Sequence, residues 1–347
     1  MKKLFLLTIL LEFANVFYAQ ILQSSQFVQG SIKDGEKLMQ AYLWPVEKSF
    51  NSLPASGAFQ LFEGKHSWRI SVNAMAAVVP KRDRTYDVNK LQLENFEPAN
   101  PAQHIAQTFG GTKDSILLQT KDKYKVPSTS WPFYQEKPVA TFYTPTGVTS
   151  VVPFVSLGLT HEGKSLILSG NTLFIPSFVL GGKAMLFASG LQAQLKIYKG
   201  LFVLSSLNGT FLHAYPHMYP KNGDSSEYKN QLFYIHSFAI PVGMAYQFAL
   251  SEHLAFYVAG GRNFAWTETG LVGTYPVYKS DPTNTYNVVV DKIKDPIRYH
   301  RDNSDFFLMI GSGYNFNRFG FALNTYLGSY LGVHLRISYF LGEAKKN

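Results

Sequence analysis

The chain has 347 residues, of which 46% are hydrophobic, 16% charged and 15% aromatic, and it contains no cysteine. That hydrophobic content excludes wholesale disorder, and the missing thiols exclude disulfides, zinc–thiolate sites, iron–sulfur clusters and cysteine nucleophiles together. Charged residues fall below the roughly 25% usual in soluble domains, while the net charge is +9; the balance suits a membrane-associated β protein better than a cytosolic enzyme.

The amino end opens with Met1-Lys2-Lys3, followed by an apolar stretch from Leu4 to Leu11 broken by Thr8, and then Phe13 to Ala19. This is the layout of a secretory signal peptide over residues 1–19, although Glu12 interrupts it and Phe17 stands where a small residue is preferred. Its apolar part is too short to span a bilayer as a helix, and no later apolar run reaches the length a membrane helix needs. An exported chain of positive charge points to anionic lipid head groups or anionic solutes, not to nucleic acid.

Residues 20–54 carry apolar side chains near helical spacing, among them Phe27, Ile32, Met39, Tyr42 and Leu43, with Asp34, Glu36 and Lys37 between them. The spacing predicts one or two short amphipathic helices, weakened by Gly30 and Gly35 and bent or ended near Pro45. Two roles fit equally: a helix packed on a core, or a plug or cap on a barrel.

From residue 55 to 347 the period changes to two. In Trp68 to Val78, Trp68, Ile70 and Val72 share one face and Arg69, Ser71 and Asn73 the other. Met185–Tyr198 and Leu331–Leu341 repeat the pattern, as transmembrane strands do. Further strands are expected at Ala55–Glu63, Pro138–Thr144, Ser150–Thr160, Lys164–Phe178, Leu201–His213, Gln231–Leu250, His253–Trp266, Asp305–Phe316 and Phe319–Leu327. The fold class expected is all-β, a transmembrane antiparallel barrel of about 12–14 strands with a short N-terminal helical plug or cap. Lys81–Lys137 is either a loop folded into the lumen or two strands hidden by weak alternation. Short turns at His161–Gly163, Lys199-Gly200, Ser251-Glu252 and Asn317-Arg318 contrast with long polar stretches at Ala214–Asn230 and Thr267–Ser304. Such asymmetry, with aromatic clusters at strand ends, belongs to outer-membrane barrels.

The run Asp34-Gly35-Glu36-Lys37-Leu38-Met39-Gln40-Ala41-Tyr42-Leu43-Trp44-Pro45 resembles the start of an uncharacterised group of Bacteroidota-type outer-membrane barrels. Thr144-Pro145-Thr146-Gly147 and Val152-Pro153-Phe154-Val155-Ser156-Leu157-Gly158-Leu159 are similar to that group as well. More distantly, a helical segment ahead of a barrel resembles the long-chain fatty-acid (FadL-like) transporters. That likeness implies passive uptake of hydrophobic molecules and carries over no ligand residues.

Chemistry-bearing motifs are sparse. There is no Gly-x-Ser-x-Gly elbow, and Gly311-Ser312-Gly313 falls within an expected strand. His213 and His217 are four apart, but Pro216 and Pro220 argue against the helix a metal pair would need. Gly260-Gly261-Arg262 and Gly181-Gly182-Lys183 lack the continuation of a phosphate loop. No catalytic residue, cofactor or metal ligand is assigned. What remains is a set of side chains on expected polar faces, namely Arg69, Gln192, Gln194, Lys196, Arg262, His334 and Arg336, which would line a solute path. The competing expectation is structural, with Asp34, Glu36 or Glu47 of the plug pairing these charges. The sequence therefore predicts a non-enzymatic barrel of the cell outer membrane, with membrane lipids as partners and a small hydrophobic or amphiphilic ligand. The alternative is a closed structural barrel whose surface loops bind something outside.

Overall fold

Alternation of side chains converts directly into a wall with two solvents. In a computed structural model, which describes residues 32–52, 63, 66–94, 96–98, 100, 102, 104–107, 115–121, 139–143, 151–175, 184–214, 232–280, 287–295 and 297–341, Trp68, Ile70 and Val72 point outward. Arg69, Ser71 and Asn73 between them are buried inside. The same inversion runs round the molecule, with Leu335 and Ile337 exposed while His334 and Arg336 are buried. Soluble monomers rarely expose apolar patches beyond roughly 300–600 Å², so a continuous apolar belt with a polar inside is the arrangement of a membrane-spanning barrel. No described helix is long and apolar enough to cross a membrane.

The wall consists of β1 (Ser67–Val78), β2 (Val151–Glu162), β3 (Leu166–Ile175), β4 (Ala184–Tyr198), β5 (Leu201–Ala214), β6 (Leu232–Ala249) and β7 (Leu254–Val272). A hairpin of β8 (Thr274–Ser280) and β9 (Asn287–Lys294) follows, then β10 (Ile297–Asp302), β11 (Asp305–Phe316), β12 (Phe319–Leu327) and β13 (Leu331–Leu341). Pairing runs β6-β5-β4-β3-β2-β1-β13-β12-β11-β7 and closes where β7 meets β6, every pair antiparallel. The β10 and β11 segments descend consecutively along β7, with Trp266 opposite Asp302 and Asn263 opposite Asp305. Between them Ser304 keeps the ladder closed, its hydroxyl accepting from the Ala265 N–H at 3.1 Å.

The barrel architecture is as expected, but it closes with ten wall strands instead of the expected 12–14. Val139–Tyr143 joins a separate three-stranded sheet with Phe96–Pro98 and Ser115–Thr120, and Thr85–Asp87 pairs with Ile105–Gln107. These short strands lie between β1 and β2 in the chain and in sheets separate from the wall, so the described residues of Lys81–Lys137 contribute no wall strand. Apart from Glu63, Ala55–Glu63 lies outside the described residues, as do the signal-peptide region and Phe27. Thr267–Ser304 is also corrected: much of it is strand. It carries the end of β7, the β8–β9 hairpin and β10, where Ile297 and Tyr299 are buried inward while the outward Arg298 and His300 are polar, the reverse of the apolar outward row that marks the other wall strands.

One end of the barrel has the tight connections, at 163–165, 199–200, 250–253 and 317–318; the other carries the long ones and the short turn 328–330. Helix α1 (Ile32–Ser52) belongs with the long-loop end. Its Asp34 carboxylate accepts from the backbone N–H groups of Glu94 and Phe96, and Lys37 donates to the Gln92 carbonyl at 2.8 Å. From there α1 enters the lumen, and Asn51 near its end reaches the walls of β6 and β7.

Candidate functional site

Among the described residues, buried charges and hydrogen-bonding groups converge in the interior, and its two halves are filled differently. In the short-turn half the filling comes from the wall. Arg69 of β1 and Glu162 of β2 form a buried ion pair, and Glu162 also accepts from the Glu63 N–H at 2.6 Å. Arg69 further lies over the Phe340 ring, 4.5 Å from its centroid. One layer along, Asn73 donates to Asn171 at 2.9 Å and accepts from Arg336 Nε at 2.6 Å. Gln192 accepts from the Ser169 hydroxyl at 3.4 Å, and Gln194 is fully buried beside it on the same face.

Two glycines make this layer possible. A Cβ on Gly158 would overlap Asn171 Oδ1 and Ser71 Oγ, and a Cβ on Gly311 would overlap Asn324 Oδ1 and the Tyr257 hydroxyl. Both polar pairs therefore occupy the space that a side chain would take. His334 and Asn324, opposite one another on β13 and β12, are buried with no protein hydrogen-bond partner among the described residues. Burying such groups dry costs roughly 1–3 kcal/mol each, so this strip is suited to water or to a polar solute. Beside it lies an apolar cluster that includes Phe202, Leu204, Tyr257, Phe307, Met309 and Tyr326, the last stacked on His334 with ring centroids 6.4 Å apart. The lumen wall thus carries a polar strip and an apolar cluster side by side.

In the long-loop half the filling is α1. Glu47 is fully buried and accepts from the Tyr299 hydroxyl at 2.7 Å, the Thr269 hydroxyl at 2.8 Å and Arg301 Nη1 at 2.7 Å. Burial pushes its carboxyl above the ordinary carboxylate range, opposed by Arg301 and by the two hydroxyl donors. Arg301 also donates to the Gln40 carbonyl and stacks on Trp44, 4.5 Å from the ring centroid. One turn on, Asn51 accepts from Ser237 at 2.6 Å and donates to Thr267 at 3.3 Å, while its carbonyl accepts from Asn263. Proline within the helix costs a backbone hydrogen bond; Ser49 donates to the Pro45 carbonyl at 2.7 Å in the same turn.

The expected path residues separate on inspection. Arg69, Gln192, Gln194, His334 and Arg336 are buried on the inner face, and Lys196 is half-buried on the same face near the short-turn end. Arg262 is the correction: it points outward, between exposed Phe264 and Phe306. Counting by twos from Phe256 and Val258 to Phe264 and Trp266 places residue 262 with them, and that parity outweighs its polarity. Of the plug residues, Met39 and Leu43 are buried and Tyr42 is half-buried; Ile32 begins α1. Among the three acids considered as plug partners, Glu47 pairs with Arg301, Asp34 caps backbone and Glu36 accepts from Gln40. Arg69 instead finds its acid on the neighbouring strand. Neither Arg301 nor Glu162 stands out in the sequence, because each becomes an inner-face charge only once the register is known. His213 meets His236 of the adjacent strand, Nε2 to Nε2 at 2.7 Å, while His217 lies outside the described residues.

A family model described as "Family of unknown function (DUF6588)" matches residues 1–340, and the chain belongs to that family. A search of curated proteins returns no match. Among solved structures, the chain is similar to Ail, the attachment invasion locus protein of Yersinia pestis, at 6% identity and a TM-score of 0.26, covering 80% of this chain and 99% of that one. It is also similar to the Ralstonia pickettii toluene transporter TbuX, at 9% identity and 0.28, covering 83% and 91%. A BenF-like porin from Pseudomonas fluorescens follows at 9% and 0.15, covering 80% and 98%. The fold described above stands on the strand pairing and not on these distant likenesses.

Proposed function

We propose that this member of the DUF6588 family is an outer-membrane barrel that passes a small hydrophobic or amphiphilic molecule passively, with α1 as a movable plug and no catalytic step. The observation that supports it is how α1 is held. Among the described residues its bonds to the wall include those through Gln40, Glu47 and Asn51, and each of these is a hydrogen bond or ion pair that water or a polar solute can replace. Beyond the plug, a hydrogen-bonding strip at His334 and Asn324 adjoins an apolar cluster that includes Phe202 and Phe307. An amphiphile presents the same two surfaces. On this reading the FadL-like resemblance concerns the plugged-barrel principle, and the signal peptide over residues 1–19 delivers the chain to the outer membrane.

A second reading has its own support. The short-turn half is filled by the wall itself, through the Arg69–Glu162 pair and the apolar cluster. A closed barrel whose long loops bind something outside would be built in that way.

The chain lacks cysteine, so an engineered pair at Asn51→Cys and Ser237→Cys supplies the only thiols and can lock α1 to β6. The reconstituted double variant is expected to admit a bilayer-impermeant aromatic sulfonate into liposomes when reduced and to exclude it when oxidised. Uptake by neither form, with wild type equally tight, would remove the transport reading and leave the closed barrel.

A further inference from the structure

Arg262 has no place in the lumen, and its outward position needs a reason. A cationic side chain on the lipid face of a barrel strand costs about 2–4 kcal/mol at mid-membrane and about 0–1 near the interface. Arg262 sits within the exposed apolar belt, on the same outward row of β7 as Phe256, Val258, Phe264 and Trp266. Its guanidinium carbon is 5.1 Å from the Phe264 ring centroid and 5.6 Å from that of Phe306, so two aromatic rings hold it near the long-loop rim. The neighbouring outward acid, Asp302, interacts electrostatically with Arg262 but is also engaged by the Ser304 N–H at 2.8 Å.

Next along the outward row stands Gly260, flanked across the sheet by exposed Met244 and Leu308. A Cβ added there would meet only the Phe307 carbonyl, at 3.5 Å, so the surface is open. Gly260 thus leaves a notch in the belt between Met244 and Leu308, next to the cation along the outward row. A phosphate at the interface and an acyl chain running inward from it have this same order of charge and apolar surface.

We propose that Arg262 and the Gly260 notch form a docking site for a membrane lipid bearing a phosphate head group. The phosphate would accept from the guanidinium, and one acyl chain would lie between Met244 and Leu308. The site rests on the membrane-spanning reading of the barrel and is independent of whether the lumen transports anything.

The test uses the full barrel in phosphatidylcholine nanodiscs doped with phosphatidic acid or with the diacylglycerol of the same chains, with lipid retention read by native mass spectrometry. Wild type is expected to retain phosphatidic acid at least about tenfold better than diacylglycerol, a difference of ~1.4 kcal/mol. Arg262→Gln should lose that preference, Arg262→Lys should keep part of it, and Gly260→Leu should lower retention with Arg262 intact. Free inorganic phosphate should not compete. Equal retention of the two lipids, or unchanged preference in Arg262→Gln, would overturn the site. So would displacement by inorganic phosphate, which would mark a simple anion site. A barrel that fails to enter the nanodisc at all would instead sink the membrane reading, so the two failures are distinguishable.

Discussion

The two halves of the lumen are filled by opposite means. At the short-turn end, Arg69, Glu162, Asn73 and Arg336 all belong to wall strands, so their hydrogen bonds cannot be broken without disturbing the barrel. At the long-loop end the filling is α1, a separate element joined to the wall through Glu47 and Asn51 side chains and the Gln40 and Asn51 carbonyls, outside any strand ladder. A buried network between strands is a matter of folding; one between a helix and the wall is a matter of position. The difference predicts that equivalent lesions will read out as loss of the barrel at one end and as release of the plug at the other.

The largest effect should come from Glu162→Ala, which leaves Arg69 buried without its carboxylate. Breaking a buried pair from one side costs about 3–5 kcal/mol, so the midpoint of denaturant unfolding in micelles should drop markedly, with the whole wall affected. A variant that keeps wild-type stability would erase the contrast between the halves. At the other end, Glu47→Ala removes three acceptor contacts at once, yet Arg301 keeps 17% of its side chain exposed and retains the Gln40 carbonyl. The expected cost is about 2 kcal/mol, at the level of hydrogen bonds to a charged group. It should show as faster amide exchange across 32–52 while the wall strands stay protected. Equal loss of protection in wall and helix would mean that α1 is part of the fold and not a separable plug.

How much of this could be read from the chain follows the same division. The ends of β11, β12 and β13 fall on the expected Asp305–Phe316, Phe319–Leu327 and Leu331–Leu341, because hydrocarbon outside and polar lumen inside impose strict alternation. On β10 the pattern inverts, with Arg298 and His300 exposed and Ile297 and Tyr299 buried, so Thr267–Ser304 lacks the apolar outward row and reads as loop although β10 lies within it. At Arg262 polarity points to the lumen, whereas parity along Phe256 to Trp266 places it outward, and parity prevails. The helix itself was legible, as 3.6-residue spacing survives without knowledge of its surroundings. Its seating was not: Glu47 and Arg301 are separated by 254 residues, and only the closed register brings β10 over α1.

A subtler effect concerns pH. Burial raises the Glu47 carboxyl in the seated state above its ordinary value of 4.5, so the seated plug holds its proton more readily than a released one. Linkage then gives the sign: the contribution to seating is complete below the ordinary carboxylate range and is lost as pH rises through the raised value. Exchange in 32–52, corrected for its intrinsic pH dependence, should therefore speed up over that window. Glu47→Gln, which keeps an acceptor for Tyr299 and Thr269 without the charge, should flatten the profile. A profile unchanged by Glu47→Gln would assign the dependence to another group.

The smallest expected effect is at Ser237. Its hydroxyl donates to Asn51 Oδ1 at 2.6 Å and accepts from Thr267 at 3.4 Å, and both neighbours have other partners: Asn51 Nδ2 bonds the Glu47 carbonyl, and Thr267 accepts from Asn303. Ser237→Ala thus removes one link from a network that can close around the gap, at a cost of about 1 kcal/mol. Because the link joins helix to wall, that cost should fall on plug release and leave unfolding of the wall unchanged. Exchange in the last turn of α1 should rise by roughly fivefold, the equivalent of that energy, with β6 and β7 amides unaffected. If β6 loosens as well, Ser237 serves the wall, and the boundary between the two kinds of filling lies higher in the lumen than Asn51.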